Sequence, residues 1–406
     1  MTNANAENNL KTLDIKQLKL GMYVMSVIDD QGITISSEGY ISDQQSINQL
    51  VNANIVKVVV DPNKEKPAEQ VDRVLADIST SRAKPVKQQP KIHIDQEIKQ
   101  ANRLYQDGKA LQSKIIESVK LNKSLKIEGI GETTNAVVDS VFRNQDALTC
   151  LTRIQSKDSY LLEHSLNCAI LMSVFAKHLA IERRIIEQLT LGAFLHDIGK
   201  VLIPKEILYK RTALTAQETK IANSHVAVGL KLLEDSPEIS HIAMRMVREH
   251  HERLDGSGYP QALKANEISQ YGRMIAIVDT YDKLTCERPY KKSIFPISAF
   301  KTLISDAPSQ YDEELVEKFI QCIGVYPVGT LVKLNSGKLG LISQLNKKKP
   351  LHPYVKVFYN TRLSQAIPIE EINLAQSKYK DQIDCCIRPE DFNINLLKFF
   401  KTAFID

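Results

Sequence analysis

Residues 185–200 read IIEQLTLGAFLHDIGK. Ile185, Leu189, Ala193 and His196 recur at three- and four-residue intervals, the period that turns one face of an α-helix toward a core. Gly199 stands where a C-cap would close that helix, so His196 and Asp197 are expected to project from its end beside a loop. Neighbouring residues on a helix diverge by about 100°, so this pair cannot grip one ion as an i, i+4 pair does. It suits a bridge instead. The aspartate can offer one oxygen to each of two cations while the histidine binds only one, and divalent metals of intermediate softness accept imidazole and carboxylate together. That is chemistry for phosphoryl transfer.

The helical texture extends outward from about Ile92 to Asp312. Thr215-Ala216-Gln217-Glu218 has the form of a capping box, and Ser236-Pro237 that of an N-cap followed by proline at the first helical position. Before this block, Gly21 to Val27, Ile33 to Ile35 and Asn54 to Val60 are short apolar runs bounded by turns, which predicts a small β-rich domain. Pro62 to Pro90, rich in Lys, Gln and Pro, reads as a partly helical connector. After Tyr326 the runs Gly329 to Leu334, Gly340 to Ile342 and Tyr354 to Tyr359 predict a small β appendage. The fold class is therefore mainly α, with a small α/β N-terminal domain and a short β-rich C-terminal appendage.

Bulk properties narrow the function. At 406 residues the chain has room for two or three domains. Its 43% hydrophobic and 25% charged residues place it among ordinary globular proteins rather than disordered or fibrous ones. A net charge of only +5, with Lys and Arg scattered among Asp and Glu, gives no case for DNA or RNA binding. Met1 to Leu10 is polar without a signal-peptide pattern, and no 18-residue apolar run occurs, so no membrane contact and a cytoplasmic location are expected. Cys150, Cys168, Cys286, Cys322, Cys385 and Cys386 lack C-x-x-C spacing and read as reduced thiols.

His164, His196, His225, His250 and His251 all fall in the helical block. Each has an ordinary reading: a single histidine on an apolar helix is usually a hydrogen-bonded core residue, and paired histidines at a helix end complement its dipole. Asp279, after the apolar run Met274 to Val278, could be a plain helix or turn residue, and the glycines of Gly256-Ser257-Gly258-Tyr259-Pro260 could serve only to turn the chain. Joint occurrence shifts the balance toward a site.

Together, His196-Asp197-Ile198-Gly199-Lys200, the string His250 to Pro260, and Asp279-Thr280-Tyr281-Asp282-Lys283-Leu284-Thr285 resemble the HD-GYP branch of the HD phosphohydrolases over residues 130–325. The preceding segment resembles a domain of unknown function often found N-terminal to HD-GYP domains. With the resemblance giving the catalytic domain (130–325), the sequence pattern divides the rest into a disordered tail (1–10), a small β-rich α+β domain (11–61), a partly helical connector (62–129) and the appendage (326–406). The resemblance implies that His164, His196, Asp197 and Asp279 hold one divalent metal and that Asp197, His225, His250 and His251 hold another, with Fe or Mn as the expected metals. Lys200 would lie near the attacked phosphate and the hydroxide between the metals. Tyr259, Arg288 and Lys291 would grip substrate phosphate, although Arg288 and Lys291 alone would read as surface charges. Some family members add a third metal through a glutamate one turn before the first histidine. Tyr160 occupies that position here, and Glu163 adjoins His164 on another helix face, so two metals are expected.

The implied activity is hydrolysis of 3′,5′-cyclic diguanylate to pGpG and onward to GMP, with cyclic GMP-AMP as the alternative substrate. A nucleotide phosphohydrolase of the wider superfamily fits less well with the Gly-Tyr-Pro segment and the paired histidines. A silent module that binds a cyclic dinucleotide or a signalling partner such as a diguanylate cyclase is the reading from another class. A homodimer is left open.

Overall fold

The computed structural model describes residues 10–18, 22–41, 44–60, 92–121, 123, 127–154, 160–234, 236, 238–288, 292–346, 348–376, 381–392, 394 and 399–400, apart from the side chains of 36–40, 44, 45, 127, 128, 160 and 161. Two units divide the chain, Met1–Ile78 and Ser79–Asp406.

The first unit holds β1 (Lys11–Asp14), β2 (Tyr23–Asp29), β3 (Thr34–Tyr40), α1 (Gln44–Asn52) and β4 (Ile55–Val60). Its sheet is antiparallel in the order β1-β4-β2-β3, with Val27 opposite both Val58 and Ile35. Val24, Val27, Ile55, Val58 and Val60 form its core with Ile15, Leu18, Ile41 and Ile47. The connector stretch 61–91 lies outside the described residues.

The second unit opens with two 27-residue helices, α2 (Ile94–Lys120) and α3 (Ile127–Arg153). There follow α4 (Tyr160–His178), α5 (Arg183–Leu195), α6 (Lys205–Leu208), α7 (Ala216–Asn223), α8 (His225–Leu233), α9 (His241–Glu249), α10 (Gln270–Thr285), α11 (Pro296–Gln310) and α12 (Glu313–Ile323). Helix α4 is apolar on nearly every side, and from Leu166 to Ala176 its hydrophobic residues are almost wholly buried, as befits the central helix of a bundle. It packs on α3, α5 and α10, while α9 packs on α5, α8 and α10. Helix α2, left within the connector by the sequence reading, runs along α3 and also contacts α4. It is held by Tyr105–Asn167, Gln112 to the Phe194 carbonyl, and the buried Glu97 with Ser140 and Arg143.

At Thr215 the capping box forms, with both reciprocal bonds to Glu218. The start expected at Ser236-Pro237 is different. Helix α9 begins at His241, where the Ser240 side chain accepts from Ala243 N. Ser240 competes successfully for the N-cap because its oxygen meets an unsatisfied amide of the first turn. Ser236 lies before this start and Pro237 falls outside the described residues.

The C-terminal sheet contains β5 (Leu331–Leu334), β6 (Lys338–Gln344), β7 (Tyr354–Asn360), β8 (Gln365–Asn373) and β9 (Ile383–Cys386), antiparallel in the order β8-β7-β6-β5-β9. It is tied to the helices by Lys356–Asp95 at 2.7 Å and by the close approach of Gly329 to the Cys150 carbonyl, where φ is +90° and an added Cβ would meet that oxygen at 2.8 Å. No helix of the described residues is long and apolar enough to cross a membrane.

Candidate metal centre

Five segments converge on one buried cluster. Helix α4 supplies His164, the end of α5 supplies His196 and Asp197, the first residue of α8 is His225, His250 and His251 follow α9, and α10 carries Asp279. All seven side chains are at most 8% exposed.

Helix α5 stops at Leu195, His196 is its C-cap, and Asp197 precedes a 3-10 turn, Ile198–Leu202. Gly199 is therefore not the cap expected from the sequence. It lies inside the turn, where an added Cβ would come within 1.9 Å of the His225 carbonyl oxygen and 2.6 Å of Gly229 N. Its lack of a side chain lets the Asp197 turn press against the start of α8, which brings Asp197 and His225 together.

Local bonds aim the imidazoles. His196, His225 and His250 each place Nδ1 at 2.6–2.8 Å from the carbonyl three residues earlier, of Ala193, Ala222 and Val247. A ring nitrogen facing a carbonyl must carry the proton, which leaves Nε2 as a bare lone pair turned into the cluster. In His164 the same task falls to Asp282, whose Oδ2 accepts from Nδ1 at 2.7 Å. Burial lowers the pKa of His225 to about 3 and of His250 to about 4, and holds His251 well below its ordinary value, so these rings are neutral at pH 7.

The two aspartates differ. Asp197 Oδ2 lies 3.4 Å from Nε2 of both His164 and His196, whereas its Oδ1 lies 3.5 Å from Nε2 of both His225 and His250. Asp279 directs Oδ1 at His164 Nε2, 3.0 Å, and His196 Nε2, 3.5 Å, and bonds Lys283 through Oδ2. Burial acts to raise the pKa of both carboxyls, but the ammonium groups of Lys200 beside Asp197 and Lys283 beside Asp279 outweigh it and hold both well below the usual range. Lys200 Nζ reaches Asp197 Oδ2 at 2.6 Å.

Divalent ions fit these residues. His225 and His250 point bare Nε2 atoms at each other across 3.4 Å, and His196 Nε2 and Asp197 Oδ1 are buried without a hydrogen-bond partner. An unsatisfied buried polar atom costs about 1–3 kcal/mol, a cost that a cation shared among these lone pairs removes. Two donor sets lie within bonding reach of single ions, His164, Cys168, His196 and Asp279 in one and Asp197, His225, His250 and His251 in the other. The second group has the members that the resemblance implied, whereas the first has Cys168, one turn after His164, where the resemblance placed Asp197. Burial raises the Cys168 thiol to about 12.

Tyr259 packs at a tilt of 34° against His251, centroids 4.6 Å apart, and meets His225 edge-on at 6.2 Å. Its loop is held by buried Glu252, which accepts from Gln261 N and Leu263 N. Gly258 is required there because a Cβ would lie 2.4 Å from Arg253 N. Arg288 is half-buried three residues beyond α10, and Lys291 lies outside the described residues. Tyr160 opens α4, but its side chain lies outside them too. Glu163 pairs with Lys109 at 2.5 Å. The sequence reading gave no role to Asp282, Lys283 or Glu252. The D-x-x-D spacing of Asp279 and Asp282 places both on one helix face and was the available signal for the first.

An HD domain family matches residues 149–315, and a domain of unknown function, DUF3391, matches residues 10–130. A cyclic di-GMP phosphodiesterase of Pseudomonas aeruginosa is 30% identical over 378 residues, covering 92% of this chain and 91% of that protein. A cyclic di-GMP phosphodiesterase of Thermotoga maritima is 32% identical over 184 residues, 45% of this chain and 50% of its own. The 3'3'-cGAMP-specific phosphodiesterase 2 of Vibrio cholerae is 37% identical over 128 residues, 31% of this chain and 24% of that protein.

Proposed function

The chain belongs to the HD-domain family of cyclic di-GMP phosphodiesterases, and on that footing we propose that it cleaves a phosphodiester bond of 3′,5′-cyclic diguanylate at a centre of two divalent metals. The observation that carries this reading is the division of Asp197, one oxygen facing the His164–His196 pair and the other the His225–His250 pair. That arrangement suits a bridging ligand and supports two ions over a mononuclear histidine site. When bound, such ions activate water at neutral pH and neutralise charge gathering on a phosphoryl group.

The chain's own groups complete the chemistry. Lys200 places a fixed positive charge beside the bridging carboxylate, where the phosphoryl group is drawn in. Tyr259, half-buried against His251, offers its ring to a base and its hydroxyl to phosphate. Arg288 and Lys291 are the proposed grip on the substrate's second phosphate, the guanidinium acting as a bidentate donor. Cyclic GMP-AMP is the alternative substrate, favoured by the similarity to the cGAMP-specific relative.

The test is anaerobic purification, metal quantification, and chromatography of products from a panel of cyclic dinucleotides. Expected are two metals per chain, conversion of cyclic di-GMP through pGpG, and no turnover by Asp197→Ala. A fully metal-loaded protein that binds the dinucleotide and leaves it intact would make the chain a sensor rather than an enzyme.

A further inference from the structure

We infer that Lys283 is a positioning residue that holds Asp279 as a one-oxygen ligand of the metal centre. The inference rests on the two-metal reading above. Lys283 follows Asp279 by one turn of α10, and its ammonium donates to Oδ2 at 2.7 Å. Oδ1, the other oxygen, is the one turned toward Nε2 of His164 and His196. The ammonium therefore occupies the oxygen that the first metal does not need, and its bond survives when a cation is held through Oδ1.

The contrast with Lys200 sharpens the point. Lys200 bonds Asp197 Oδ2, which itself faces His164 and His196, so its contact shares an oxygen with the first metal position. Lys283 shares none. A carboxylate turns about a broad torsion, so without a second partner its plane can tilt away from the histidines. With Lys283 bonded to one oxygen, the plane is held so that the other oxygen faces them. Asp279 Oδ2 also lies 3.8 Å from Nδ1 of His251, a residue of the other donor set. An untethered carboxylate could swing between the two sets, and the ammonium prevents it. On an exposed helix this i, i+4 pair would be a minor brace, but here the carboxylate side chain is 1% exposed and the lysine 18%. Partners of this kind, which orient a ligand without touching the metal, typically alter metal affinity 10–100-fold when removed.

The experiment titrates Mn(II) into metal-free full-length protein against a competing chelator, for wild type, Lys283→Met, Lys283→Gln and Lys283→Arg, with circular dichroism to verify folding. Lys283→Met is expected to weaken one of the two sites by about 10–100-fold and leave the other unchanged, with Lys283→Gln intermediate and Lys283→Arg close to wild type. Wild-type affinity at both sites in folded Lys283→Met, or in Lys283→Gln if the first does not fold, overturns the inference. Equal weakening of both sites overturns it as well. A wild-type protein that fails to take two Mn(II) ions defeats the two-metal reading instead, a result visible before any variant is compared.

Discussion

Replacing Gly199 by alanine adds one methyl group and is expected to disable the enzyme. The new Cβ would lie 1.9 Å from the His225 carbonyl oxygen and 2.6 Å from Gly229 N, both backbone atoms that cannot rotate aside. Contacts below 3.0 Å are essentially never found for a Cβ, so the Asp197 turn and the start of α8 must separate by about 3.0 − 1.9 = 1.1 Å. Overpacking of this kind costs about 1–3 kcal/mol of stability. A displacement near 1 Å in reacting geometry costs about 100-fold in rate, and the two residues pulled apart are Asp197, the proposed bridge, and His225, a proposed ligand. Gly229→Ala is the control, because its Cβ would meet nothing nearer than 3.4 Å, an ordinary contact. Guanidinium unfolding, metal content and turnover of cyclic di-GMP should be measured for both variants. A Gly199→Ala protein with wild-type unfolding midpoint and turnover would show that the two segments are not held in this contact, and the account of how Asp197 is placed would fail.

Asp282→Ala removes the acceptor that fixes the His164 ring and is expected to lower metal affinity about 10–100-fold with helical signal retained; unchanged affinity would mean that His164 is aligned by other contacts. The metal-free protein should lose stability in acid. His225 and His250 have pKa values lowered by burial to about 3 and about 4, so the unfolded chain takes up protons first as pH falls below about 6.5, and the stability held by the neutral rings is lost progressively down to those folded values. The lowered carboxyls of Asp197 and Asp279 act in the same direction at still lower pH. Denaturant midpoints that are flat between pH 7 and pH 4 would contradict the neutral, buried rings. Tyr160→Phe should keep two metals per chain by elemental analysis, since a phenol is a poor ligand at pH 7 and Glu163 is engaged with Lys109; a drop in the count would make Tyr160 a ligand. Arg288→Ala should raise KM tens-fold, the equivalent of a charge-assisted bond of about 1.5–3 kcal/mol, with metal content intact. Kinetics like those of wild type would return Arg288 to a structural role.

Much of this protein is written locally. The period of Ile185 to His196 identifies the buried face of α5, alternation and turns mark β2, β4, β6 and β7, and Thr215 with Glu218 caps its helix from four consecutive residues. The adjacent His196-Asp197 pair suggested a bridge between two cations by its residue types, while the wider set with His250, His251 and Asp279 was what the resemblance to the HD-GYP motifs implied. Competition and distance decided the rest. Ser240 outranked Ser236 as the cap because only the folded start of α9 offers it an amide. Gly199 proved to be a point of contact with α8 rather than a cap, since the atoms it accommodates belong to residues 26 and 30 positions later. Strand β9 went unread because Ile383–Cys386 is stabilised by Leu334 and its neighbours about 50 residues away. The same holds at the centre. Periodicity says that His164 and Asp282 each face a core, but their bond spans 118 positions and exists only where α4 crosses α10. Which oxygen of Asp197 meets which histidines, and which oxygen of Asp279 is left to Lys283, follows from that packing, because hydrophobic burial selects the face of each helix and only the crossing of helices sets the distance between their side chains.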